Sequence, residues 1–149
     1  MAAVQEPSHQ DMDILEAVHS IIARYPPLTA DRHRLRIAVR DGVVLLAGHD
    51  RTPITRLYLI DRVSELEGVR GVNADDLYDD ETIRLEVGRI LPDGVIANPT
   101  YGIVVLSGKL PAGTTEAAVA KRAAAVPGVD AGIESGKPRP PEDRHFPPP

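Results

Sequence analysis

The stretch Gly42-Val43-Val44-Leu45-Leu46-Ala47-Gly48 is matched sixty residues later by Gly102-Ile103-Val104-Val105-Leu106-Ser107-Gly108. Gly68-Val69 is matched by Gly128-Val129 at the same offset, so the twenty-residue spacing between the second and third glycines is kept. Internal repetition decides architecture ahead of local signals, because each copy has to be one supersecondary unit. The chain of 149 residues therefore reads as two units of about sixty residues each, near the lower size limit for folding alone.

Working outward from the first glycine block, Leu35-Arg36-Ile37-Ala38-Val39-Arg40 alternates large apolar residues with others, the pattern of a strand buried on one face. Asp41-Gly42 signals a type I′ hairpin, whose two central residues need positive φ. Val43 to Ala47 is then the returning strand. In the second copy Val95-Ile96-Ala97-Asn98 leads through Pro99-Thr100-Tyr101-Gly102 into Ile103 to Ser107. Pro99 has no N–H for a ladder, so its strand is expected at an edge or to end early.

Helices flank the hairpins. Asp11 or Asp13 is expected to cap a first helix with Ile14, Val18, Ile21 and Ile22 on one face, ending before Pro26-Pro27. Asp79 or Asp80 plays that part for Ile83, Val87, Ile90 and Leu91, at an offset of 69, so the first copy carries about nine extra residues in the connection from Tyr25 to His33. A later helix carries Ile54, Leu57, Ile60 and Val63 in copy one and the alanine-rich run Ala117 to Ala125 in copy two, with Thr114 or Thr115 as cap. Gly68 and Gly128 follow these helices, where a left-handed residue is wanted. A last strand is expected at Val69 to Ala74 and at Val129 to Ile133.

The fold class that follows is α+β: two repeated α-β-β-α-β units, each a three-stranded mixed sheet with two helices packed on one face. Residues 1–10 read as a disordered tail, 11–77 as the first unit, 78–134 as the second, and 135–149, with Pro138, Pro140, Pro141, Pro147, Pro148 and Pro149, as a Pro-rich disordered tail.

Hydrophobic content of 42% with 26% charged residues suits a globular chain, and 3% aromatics with no Trp means aliphatic cores. The net charge of −5 argues against nucleic acid as a partner, where a basic field supplies most of the affinity. No cysteine is present, which removes disulfides and thiolate metal sites. The start, Met1 to Pro7, has neither a basic region nor an apolar run, and no segment approaches the ~20 apolar residues that span a bilayer; a cytoplasmic location is the expectation.

The polar feature with most chemical content is the stripe Arg34, Arg36 and Arg40. With Leu35, Ile37 and Val39 facing inward, two-residue periodicity sends these arginines to the opposite face. There they form a candidate surface for an anionic headgroup, each cation contributing ~1 kcal/mol at such a membrane. The plainer reading is a solvated strand face whose charges discourage edge pairing. Asp75, Asp76, Asp79, Asp80 and Glu81 lack the ligand spacing of a calcium loop and suit helix capping. Histidines are scattered, and no serine sits in a G-x-S-x-G elbow; no catalytic residue, metal ligand or cofactor is nominated.

The G-V-V-x-L-x-G block, the helix after it and the G-V turn into a last strand, present twice over about residues 11 to 134, resemble the BON domain, the bacterial osmotic-stress and nodulation module. That resemblance implies a small αβ sandwich in tandem and a non-enzymatic binding or adaptor role, stress- or envelope-related, toward a phospholipid surface, an ion or a protein partner. It also implies that Gly42, Gly48, Gly68, Gly102, Gly108 and Gly128 are structural marks. The alternative is a structural homo-oligomer with no small ligand, suggested by two marginal units with alanine-rich helices.

Overall fold

Ser8 opens the first helix: its Oγ accepts the N–H of Asp11 at 3.1 Å, and α1 runs His9–Arg24. The computed structural model describes residues 8–130 and 134–135. Because the cap is Ser8, residues 8–10 belong to the helix and its cap rather than to a tail, and Asp11 is released for another task. Its carboxylate accepts the N–H of Asp41 at 3.0 Å and that of Gly42 at 2.9 Å, clamping the turn of the first hairpin onto α1. These hydrogen bonds, that from Gly42 foremost, hold the Asp11 carboxyl below the usual carboxylate range.

The Tyr25 to His33 connection is helical rather than slack. Pro26 and Pro27 start α2 (Pro26–Asp31), since proline is preorganised for the first helical turn, and a 3-10 turn follows over Arg32–Arg34. Thr29 Oγ1 donates to the Ile22 carbonyl at 2.6 Å, Leu28 is fully buried, and Tyr25 stacks on Tyr58 with centroids 3.8 Å apart.

β1 (Leu35–Arg40) and β2 (Val43–Asp50) pair antiparallel around Asp41-Gly42, where φ is +51° and +80°. α3 (Pro53–Ser64), capped by Thr52, crosses to β3 (Gly71–Asp79), which pairs parallel to β2, so the sheet order is β1-β2-β3. β3 runs past the expected end at Ala74 and takes in Asp75 and Asp76. A bulge absorbs the extra residue, since Leu45 pairs Asn73 while Ala47 pairs Asp76. Arg56 holds this bulge, donating through Nε to the Leu77 carbonyl at 2.7 Å and through a terminal nitrogen to the Ala74 carbonyl at 3.2 Å. The core lies on one side of this sheet, where Val44, Leu46 and Leu77 meet Ile14, Val18, Ile22, Leu28, Leu59 and Val63.

The chain divides into two compact units, Met1–Thr82 and Ile83–Pro149, with the division inside α4 (Asp80–Ile90). The Asp79 carboxylate caps α4, accepting the Thr82 N–H at 2.8 Å and its hydroxyl at 2.9 Å. In the second unit β4 (Val95–Thr100) and β5 (Ile103–Gly108) form a hairpin around Tyr101-Gly102, with φ of +49° and +83°. β4 is an edge strand that runs through Pro99. After α5 (Glu116–Ala124), capped by Thr115, only Glu134–Ser135 form β6, beside Val105 and Leu106. The second sheet has the order β4-β5-β6, and among the described residues its third strand is two residues long and parallel to β5. The expected strand positions 131–133 and the Pro-rich segment 136–149 lie outside the described residues.

Candidate assembly surface

Val44 and Leu46 of β2 point into the core, so Val43 and Leu45 point the other way, onto the sheet face that no helix of the first unit covers. They are 40% and 44% exposed. Across the ladder stand Arg40 beside Val43, Ala38 beside Leu45 and Arg36 beside Ala47, all on the same face. Arg36 and Arg40 therefore occupy the place expected of them. Arg34 does not: it ends the 3-10 turn rather than entering β1, because Gly48 opposite Leu35 closes the ladder there. Gly48, at φ +113°, lies so close to the Arg34 carbonyl that a Cβ on it would come within 1.9 Å of that oxygen. Gly108 stands in the same relation to the Gly94 carbonyl, again at φ +113° and 1.9 Å. Gly42, Gly68, Gly102 and Gly128 also have positive φ, at the hairpin turns and after the helices.

The outer side of α3 adds a second apolar surface. The spacing suggested that Ile54 and Leu57 would be buried with Val63, yet the buried stripe is Thr55, Leu59 and Val63. Thr52 as cap and Pro53 in the first turn set the helix phase, and Thr55 turns inward to hydrogen-bond Thr52 at 3.0 Å. Ile54 and Leu57 are left 74% and 53% exposed, followed on the same side by exposed Asp61. In the second unit, considered by itself, alternation on β4 and β5 likewise leaves Ile96, Ile103 and Val105 exposed.

A buried acidic cluster sits at the end of the first sheet. Asp50, the last residue of β2, is fully buried and both its carboxylate oxygens lack a hydrogen-bond partner. Burial drives its carboxyl up to about 7; Asp31 and Asp79 push the same way, and Arg56 pulls against them. Asp31, also buried, accepts the Arg51 N–H at 3.3 Å. The cluster does not converge as ligands would: among the described residues no group of three or more His, Asp or Glu is placed to hold a metal ion. Nor is any helix among the described residues long and apolar enough to cross a membrane.

No protein-family model matches the chain, and neither does any curated protein. Solved structures similar to it include two of one secretion-system protein. The C-terminal domain of CdsD, the structural protein of the type III secretion system of Chlamydia trachomatis, aligns with a TM-score of 0.54 and 28% identity, covering 75% of this chain and 55% of that one. A second structure of CdsD aligns with a TM-score of 0.50 and 26% identity over 64% of this chain and 46% of that one. The chain thus spans about half the length of the chains it matches.

Proposed function

We propose that the protein is a non-enzymatic structural module that works by associating with copies of itself through the helix-free face of its first sheet. The observation that carries this reading is the pair Val43 and Leu45, apolar and exposed on the central strand of the first sheet. Leaving them in water forgoes roughly 25 cal/mol for each Å² of apolar area that a partner would cover. The likeness to a secretion-system structural protein supports the same class of role. Light scattering on the purified chain tests it: a mass that rises with concentration is expected, and a concentration-independent monomer overturns it.

A BON-like doubling of one module remains part of this reading, and the local geometry supports it. The Arg70 N–H donates to the Gly42 carbonyl at 2.8 Å and, sixty residues on, the Asp130 N–H donates to the Gly102 carbonyl at 2.7 Å. Attachment to anionic phospholipid is a second reading, favoured by Arg36 and Arg40 bordering the apolar pair. Co-sedimentation with phosphatidylserine vesicles at low salt, lost at high salt and in Arg36→Ala/Arg40→Ala, is its expected signature.

A further inference from the structure

We propose that two copies of this chain stack the helix-free faces of their first sheets about a two-fold axis running along the strands, with Arg36 of each copy meeting Asp76 of the other. The inference rests on the self-association reading above and deepens it, naming the contacts and where the assembly closes.

The ladder sets out that face in rows. Arg36, Ala47 and Asp76 are cross-strand neighbours, as are Ala38, Leu45 and Asn73, and then Arg40, Val43 and Gly71. Their side chains lie away from the core, since Val44, Leu46 and Leu77 fill the other side. The face is therefore polarised across its strands. Its β1 flank is basic at Arg36 and Arg40, its middle is apolar at Val43 and Leu45, and its β3 flank is acidic at Asp76, with exposed Asp75 next to it in the bulge. Among the described residues none of Arg36, Arg40 and Asp76 forms an ion pair within its own chain.

This polarity selects between the ways in which two identical faces can meet. A two-fold axis along the strands lays β1 on the partner's β3 and keeps each row over the same row. Arg36 then faces the partner's Asp76 twice over, while Leu45 and Val43 face their own counterparts. A two-fold axis across the strands would lay β1 on β1, setting Arg36 against the partner's Arg40 twice over and leaving Asp76 with no cation opposite. Like-charge juxtaposition excludes that second arrangement, and the opposite charges fix the register of the first.

The dimensions agree. Stacked sheets lie about 10 Å apart with their strands within about 30° of each other, a gap that the Arg36 and Asp76 side chains bridge together around the apolar pair. Arg40 faces the partner's Gly71, where even an added Cβ would meet nothing within 4 Å, so its side chain has room. Each copy offers the other the same patch; the contact is isologous and closes at the dimer.

Exchanging the charges between chains tests the pairing. Arg36→Glu and Asp76→Lys, each shown by circular dichroism to fold as the parent does, are run in sedimentation velocity at low salt, singly and as an equimolar mixture, beside the wild type. The wild type is expected to reach twice the 16.1 kDa of one chain and no more. Each variant alone is expected to stay a single chain, because it sets two like pairs at the seam, and the mixture to regain the dimer, because both of its pairs are again opposite. Leu45→Cys adds a reading free of charge changes in a chain that has no other thiol: a short bis-maleimide is expected to link it to its own counterpart at concentrations where the wild type is dimeric. A mixture that stays monomeric, a single variant that dimerises as the wild type does, an unlinked Leu45→Cys or growth beyond two chains, each beside a wild type that assembles, overturns the two-fold pairing and leaves self-association standing. A wild type that stays monomeric overturns both.

Discussion

Asp50 is the residue whose ionisation the fold opposes most plainly. Its carboxyl titrates at about 7 in the folded chain against 3.8 ordinarily, so the folded state holds a proton that the unfolded state has already released between those values. Stability therefore falls as pH rises through that interval, by about 1.4 kcal/mol per pH unit for one such group, and is level with respect to this group above it. Urea denaturation at pH 5 and pH 8 is expected to find the wild type weaker at pH 8, with Asp50→Asn removing most of the difference; an unchanged slope in the variant would contradict the assignment. Asp11 has the opposite sign. Its carboxyl is held low by the turn it clamps, so that stabilisation is present above the ordinary carboxylate value and is lost on acidification through the lowered one. Backbone geometry is just as specific at Gly48, where Gly48→Ala is expected to cost at least about 3 kcal/mol, whereas Gly71→Ala, with open space around its Cβ position, is expected to be tolerated; thermal melts of the two separate them.

α3 shows at the scale of an element how far apolar spacing can mislead. Ile54, Leu57, Ile60 and Val63 form a helical stripe on paper, but so do Thr55, Leu59 and Val63, and the second is the one buried. Only the capping geometry of Thr52 and the inward hydrogen bond of Thr55 separate the two phases, and neither alters hydrophobic spacing. The exposed apolar flank of α3 was hidden in the sequence for that reason: Ile54 and Leu57 looked like core. Leu59→Ala is expected to cost about 2–5 kcal/mol in denaturant unfolding, while Leu57→Ser, at an exposed position, costs little. Equal destabilisation by the two would put Leu57 back in the core. The hairpins were legible because Asp41-Gly42 and the paired glycine blocks declare positive φ directly, and Arg36 and Arg40 were placed correctly because strand alternation is strict. Arg34 was not, because a 3-10 turn before β1 has no pattern of its own. The Asp11 clamp was illegible as well, since a carboxylate in a first helical turn reads as a cap until a tertiary partner thirty residues away claims it.

Across the whole molecule the repeated glycine blocks made the α+β class and both hairpins legible. The first sheet ends on a nine-residue parallel strand, and the third strand of the second sheet takes in Glu134 and Ser135 among the described residues. The proposed self-association draws on the first unit's sheet face, where Val43 and Leu45 stand exposed between Arg36 and Arg40 of β1 and Asn73 and Asp76 of β3. Sedimentation velocity of the wild type beside Leu45→Asp over a wide range of concentrations tests this most directly. The account predicts wild-type masses climbing above the 16.1 kDa of one chain while Leu45→Asp stays at it; a wild type that sediments as a single chain at every concentration would contradict it.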